Sequence, residues 1–327
     1  MDSYNKNSLG DGGVKRRDTL SRRTLTKKER DHIFIFLVVA LPFIQFLIFY
    51  VYVNINAVVL GFQQYTVDEV TGRGYYTWYG LGNFQQVIKE FEIDGIMLNA
   101  FKNSVITWVI STAVSYTLAI IISFYIYKKA FFSKTFRVIV FIPSILSSIV
   151  LILLYKYFVD FAVPELWQRL FGKEIEGLAS NPQTAFPTVL FYSIWFGFGS
   201  GILIFSSTMS GNISDSVVEA CHLDGATMLQ EIWYITIPAI YPIIMTNLVC
   251  SVPGLFLSDP GLFSFFGTGA DYKIWTLGYY LTKTTKDATM YNYPYIAAFG
   301  LIQTAIILPL VLISRYVMRK YGPNTER

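Results

Sequence analysis

The chain has 327 residues, 53% of them hydrophobic and only 15% charged, with a mean hydropathy of +0.44. That balance excludes a soluble globular domain, which needs far more charge to cover its surface. Its two cysteines and two histidines are scattered, so neither a disulfide framework nor a His/Cys metal centre is expected.

Residues 1–31 are polar, with Lys and Arg recurring from Lys6 to Arg30, and read as a cytoplasmic tail without fixed structure. No aromatic residue follows Tyr4 before the first apolar run, so the tail is a topology signal and not an arm for nucleic acid. A spanning helix needs about 20 mainly apolar residues. Six stretches qualify: 33–53, 104–127, 136–158, 187–209, 239–257 and 295–317. Residues 32–320 are therefore expected to form one all-α, polytopic domain of six transmembrane helices, followed by a short tail at 321–327. Lys and Arg are dense in the N-terminal tail, in the loop with Lys128, Lys129, Lys134 and Arg137, and at the C-terminal end, and sparse in the longer alternate loops. The positive-inside rule then makes both termini cytoplasmic. The first run is too long for the apolar core of a cleaved signal peptide.

Between the first two spans, the turn Gly80-Leu81-Gly82-Asn83-Phe84 opens a predicted amphipathic helix through Phe91. Lys156, near the end of the third span, is expected to reach the membrane interface. Prolines at 143, 238, 242 and 253 punctuate the spans, and the Pro253-Gly254 pair is the expected break.

The loop at 211–238 stands apart. From Gly211 to Tyr234 it has no Lys or Arg, only Asp215, Glu219, Asp224 and Glu231, a composition suited to docking on protein more than on anionic lipid. Ser214 and Asp215 are candidate caps for a helix through His222. Gly225 supplies a turn where a side chain would clash or φ must be positive. A second short helix is predicted from Ala226 to Ile237, with Pro238 marking entry into the membrane.

Within this loop, Glu219-Ala220-Cys221, three residues, Gly225, nine residues, then Ile235-Thr236-Ile237-Pro238 resembles the EAA signature of binding-protein-dependent ABC importer permeases. Cys221 replaces the usual second Ala and Ile237 the usual Leu. The resemblance runs from the first span to the last, and the Gly80-Leu81-Gly82-Asn83-Phe84 element is similar to one carried by the sugar-importing branch. It implies the type I ABC importer permease fold in a bacterial cell membrane. It also implies a coupling helix seated on cytoplasmic ATPases, with Glu219, Ala220, Cys221, Asp224, Gly225, Ile235, Ile237 and Pro238 forming that unit. Two ATPase subunits, which hold ATP and Mg, a second related permease and an extracytoplasmic solute-binding protein are the implied partners. Substrate contacts in that branch come from the helices flanking the loop. The matching positions here are Gly197, Ser200 and, by a one-residue shift, Gly201 beyond Trp195, with Ser251 after Pro238; Asn247 is a further amide in the same span.

The chain has no catalytic centre by sequence. Its Gly172-Lys173 pair has Trp167 where a phosphate-binding loop requires glycine, and His222 and Asp224 lack a neighbouring nucleophile. No span has Asp or Glu at its centre, which disfavours an ion-coupled stand-alone carrier. It also favours sugar, met by hydroxyls, amides and aromatic rings, over an amino acid, peptide or phosphate ester.

Overall fold

The computed structural model describes residues 26–93 and 95–323, so most of the basic tail lies outside the described residues. The chain divides into two units, residues 1–55 and 56–327. In the first unit, helix α1 (Lys27–Phe46) begins inside the stretch read as tail. The cause is a capping box. Glu29 N–H donates to Thr26 Oγ1 at 3.3 Å, and Thr26 N–H donates back to the Glu29 carboxylate at 2.8 Å. A π turn at Leu47–Tyr52 follows.

After α2 (Val53–Gly61), the second unit opens with an antiparallel hairpin, β1 (Gln63–Val67) on β2 (Gly74–Trp78), in register from Gln63↔Trp78 to Val67↔Gly74. The sequence reading contained no strand. Alternation over five residues is too short a signal beside apolar runs four times as long. Asp68 closes the turn by accepting the Val70 and Thr71 N–H groups at 2.8 and 3.2 Å, bonds that hold its carboxyl below the usual range. The expected helix then appears as α3 (Gly82–Ile93). Buried Asn83 fastens its start, donating from Nδ2 to the carbonyls of Gly61 and Gln63 at 2.9 and 2.7 Å.

Helix α4 (Ile96–Tyr127) is followed by α5 (Ser133–Ile145) and α6 (Ser148–Tyr157). A π turn at Phe158–Ala162 leads into α7 (Val163–Phe171). The third predicted span is thus two helical pieces meeting at 91°. Leu146 turns to extended backbone three residues after Pro143, which has no N–H to continue the ladder. Helix α8 (Ala185–Asn212) follows, then α9 (Asp215–Leu223) and α10 (Met228–Glu231). A π turn at Ile232–Thr236 joins α10 to α11 (Ile237–Ser251), and α12 (Gly254–Leu257) ends this stretch. The chain closes with α13 (Leu262–Phe266), α14 (Leu277–Lys286) and α15 (Tyr293–Tyr321). Five helical stretches are long and apolar enough to cross a membrane, and the bent pair makes a sixth. They fall on the six predicted spans.

Helices α4 and α8 lie closely together. Gly201 permits this: a methyl group there would come within 3.3 Å of the Ala119 methyl. Ser123, fully buried, donates to the Ile202 carbonyl at 3.0 Å. Phe124, Phe205, Met209 and Ile240 fill the core that α11 shares with this pair. The break at Pro253-Gly254 falls where expected. Leu255 N–H turns to Val252, and the Ser251 carbonyl accepts the Trp108 indole N–H of α4 at 2.8 Å. Lys156, expected to reach the membrane interface, has a partner within the chain. Its ammonium donates to the Phe265 carbonyl at 2.7 Å and lies 5.2 Å from the Phe266 ring, a partly buried site that supplies an acceptor on the spot.

Candidate functional site

The loop after α8 folds around Gly225. Ser214 takes the N-cap position of α9, but its hydroxyl pairs with Ser216 Oγ at 3.0 Å and does not cap the helix. At the other end, Gly225 N–H bonds to the His222 carbonyl and Ala226 N–H to that of Cys221, both at 3.1 Å. With Gly225 at φ +72, this is a Schellman stop, and the left-handed conformation is the reason glycine stands there. The second helix starts at Met228, not Ala226. Thr227 and Gln230 form a second capping box, with Thr227 N–H donating to Gln230 Oε1 at 2.8 Å.

The helix does not end at Ile237 as expected, but continues through Pro238. Met228–Leu257 runs on as one apolar stretch. In an α-helix the Pro238 ring would meet the carbonyl four residues back. The π turn at Ile232–Thr236 shifts that turn to a wider spacing and lets the helix continue through the proline.

The signature residues divide by exposure. Cys221 is buried, whereas Glu219, Ala220, Asp224 and Gly225 are exposed and Ile235, Ile237 and Pro238 are half-buried. Glu219 forms no hydrogen bond or ion pair among the described residues, so it does not brace the loop. Ala220, Cys221, Asp224, Gly225, Gln230 and Tyr234 line a cleft of about 550 Å³. Around it stand Leu223, Leu229, Trp233 and Tyr234, between 68% and 89% exposed. Apolar side chains at that exposure, with acids between them, have the composition of a surface awaiting a partner.

Glu231 is the exception among the loop's acids. It is buried, and its carboxylate pairs with the Lys128 ammonium at 2.7 Å, the two side chains being 4% and 17% exposed. Lys128 Nζ also lies 3.4 Å from His222 Nε2, which must accept because an ammonium only donates. Lys128 caps the C-terminal end of α4. One cation therefore ties α4 to α9 and α10 together, while Asp215, Glu219 and Asp224 stay exposed.

The candidate substrate residues fall into two groups. Trp195, Gly197 and Ser200 of α8 are exposed but do not share one face: Trp195 lies beside Tyr192 at 6.1 Å between ring centroids, whereas a methyl group at Gly197 would meet Ser115 Oγ of α4 at 3.7 Å. Gly201 instead packs on α4. Asn247 and Ser251 bond their own helix through Nδ2 to the Ile243 carbonyl and Oγ to that of Leu248. Their own carbonyls accept from Tyr116 and Trp108 of α4. Ser251 lines a cavity of about 260 Å³ together with Ser193 of α8 and Thr107 and Ser111 of α4.

Residues 115–327 match the family described as the binding-protein-dependent transport system inner membrane component. The chain belongs to that family. This inner membrane component is a transport protein and not an enzyme. It is 24% identical over 282 residues to the arabinooligosaccharides transport system permease protein AraP of Halalkalibacterium halodurans, covering 84% of this chain and 85% of the relative. It is 22% identical to the multiple sugar-binding transport system permease protein MsmF of Streptococcus mutans, over 70% of this chain and 78% of that one. Its fold matches a chain of a bacterial ABC transporter involved in import of the acidic polysaccharide alginate, with TM-score 0.73 and 18% identity, covering 90% and 98% of the two chains. The type I ABC permease fold is thereby borne out.

Two parts of the site escaped the sequence reading of this inner membrane component. Ser104, Thr107, Ser111 and Ser115 share one face of α4 at spacings of three and four residues, a pattern visible in the sequence but lying outside the helices next to the loop. Thr107 Oγ1 and Ser111 Oγ have no hydrogen-bond partner among the described residues. The Lys128–Glu231 pair has no local signal at all, since its members are brought together only by the packing of α4 against the loop.

Proposed function

We propose that this chain is one permease subunit of an ATP-driven importer of a sugar or oligosaccharide. The Gly225 loop carries the coupling reading. It presents exposed apolar and acidic side chains at the end of a helix that continues into the membrane. Two cytoplasmic ATPases, which hold ATP and Mg, dock there, one of them on this chain and the other on a second, related permease. ATP-driven closure moves the two loops together, and rigid-body motion of the spans opens the path alternately to either side. A solute-binding protein delivers the cargo to the opposite end, where the hairpin, α3 and α14 lie.

The sugar reading is supported by the names of the relatives, which carry arabinooligosaccharides and multiple sugars, and by the chemistry of the spans. Ser193, Ser251, Thr107 and Ser111 meet in one cavity, and hydroxyls beside an indole suit a pyranose better than a charged solute. The test begins with affinity capture of the tagged chain from its native membrane, with mass spectrometry of what stays bound. Recovery of an ATPase, a second permease and a solute-binding protein is expected. Vesicles holding that complex should then show ATP-dependent uptake of the sugar its binding protein retains. A chain recovered alone in a mild detergent, and transporting without ATP, overturns the reading.

A further inference from the structure

The connection between α4 and α5 forms a cradle that the transport reading does not use. It encloses a cavity of about 930 Å³ lined by Lys129, Lys134, Arg137, Ser133, Thr135 and Ser210, among others. No carboxylate lines it, and none of the three cations pairs with one among the described residues. Lys128, the neighbour in sequence, is already taken by Glu231. Arg137 Nη2 reaches Ser206 Oγ at 3.4 Å, which leaves most of its donors free.

Three further features point to an anion. Ser133 is 9% exposed, and its hydroxyl lines the cavity without a hydrogen-bond partner among the described residues. Ser133 also opens α5, a helix of 13 residues whose N-cap is Phe132 and whose first turn receives no side-chain cap. Uncapped N–H groups at a helix start carry a partial positive charge and are suited to phosphate. Finally, Lys129 and Phe132 hold φ of 51 and 59. This left-handed conformation is costly for non-glycine residues and is kept where surrounding interactions fix it.

The position selects which phosphate. The cradle sits at the end of a membrane-spanning helix, on the side of the Gly225 loop, as the Lys128–Glu231 pair shows. Phe131 and Phe132, 81% and 68% exposed with ring centroids 4.2 Å apart, project beside it. Exposed aromatic rings next to lysines are anchors for the headgroup level of a bilayer. A soluble phosphate would need the cations but not the rings.

We propose that this cradle binds the phosphate headgroup of an anionic membrane phospholipid, with Lys129, Lys134, Arg137, the Ser133 hydroxyl and the first turn of α5 as its donors. The site depends on membrane insertion alone, so it stands or falls separately from the cargo and the ATPases. The test uses the full chain in nanodiscs of phosphatidylcholine containing a minor fraction of phosphatidylglycerol, with native mass spectrometry of the lipids that stay bound after release.

Wild type should retain phosphatidylglycerol in preference to phosphatidylcholine. The variant Lys129→Gln/Lys134→Gln should retain on the order of tenfold less, while Lys273→Gln/Lys286→Gln should match wild type. Equal retention by the Lys129/Lys134 variant overturns the proposal, as does equal retention of the two lipids by wild type. Displacement of the lipid by inorganic phosphate at comparable concentration would assign the cradle to a soluble anion and overturn it too. A photo-crosslinker replacing Phe131 should capture lipid in native membranes, and capture of an ATPase there in place of lipid is the remaining contrary result.

Discussion

Lys128 shows how one side chain decides the character of a whole loop. Glu231 reads in sequence as one acid among four on a docking surface, because nothing near it in the chain is basic. Folding brings Lys128 to it and buries the pair. Removing the cation would leave a carboxylate in a poorly hydrated site, which costs about 3 kcal/mol or more. Lys128→Met is therefore expected to lower the melting temperature of the purified chain clearly, and Lys128→Met/Glu231→Gln to recover part of the loss. A double variant no more stable than the single one would show that the charge is not the cause. Asp259 gives a second test at this scale. Burial raises its carboxyl above the ordinary 3.8, against the lowering effect of the Phe263, Leu262 and Gly261 N–H groups, and one of its oxygens has no partner among the described residues. The folded chain thus holds a proton that the unfolded chain releases, so stability falls as pH rises from about 3.8 through the folded value. Asp259→Asn should be more stable than wild type at pH 7 and should lose that slope in thermal melts across the acid range.

Among the elements, the legible parts are those that local chemistry alone determines. The turn at Gly225 is legible because a helix stop of this kind is written in three or four adjacent residues, and of its two possible causes, a clash or a positive φ, the structure has the positive φ with open space around the glycine. The start of α10 was equally local. Thr227 and Gln230 stand at capping-box spacing and start the helix at Met228, two residues after the expected Ala226. The π turn before Pro238 was not legible. It is a compromise between a proline that resists the α ladder and packing that demands a continuous helix, and only the second half of that contest lies outside the loop. Gly225→Pro should leave the chain inserted and assembled while ATP hydrolysis no longer drives transport. Normal transport by that variant, measured against its ATPase rate in vesicles, would remove the loop from the coupling role.

At the scale of the molecule, the six apolar stretches were plain because 20-residue runs need no partner to be recognised. What they pack against was not. The hydroxyl face of α4 gains its meaning only from α8 and α11, distant in sequence, whereas the hairpin is too short an alternation to stand out and the right-angled break follows locally from Pro143. The candidate path residues lie on the two helices beside the loop. The structure scatters them over different faces of α8 and α11, and hydroxyls of α4 line a cavity with Ser251.

The stretch from Met228 to Ser251 is one rod of roughly 35 Å, with the π turn Ile232–Thr236 near one end. A π turn holds one residue more than an α turn, so the segment before it is rotated by about 100° about the axis relative to an uninterrupted helix. The azimuth at which the loop faces outward is therefore set by a single surplus residue. Pro238→Ala, which removes the ring's clash and lets α spacing return with every residue kept, should swing Met228 and Leu229 round the rod, so that the chain still inserts while the ATPases proposed to dock there detach on affinity capture. A variant that keeps them bound would show that the loop finds its own bearing.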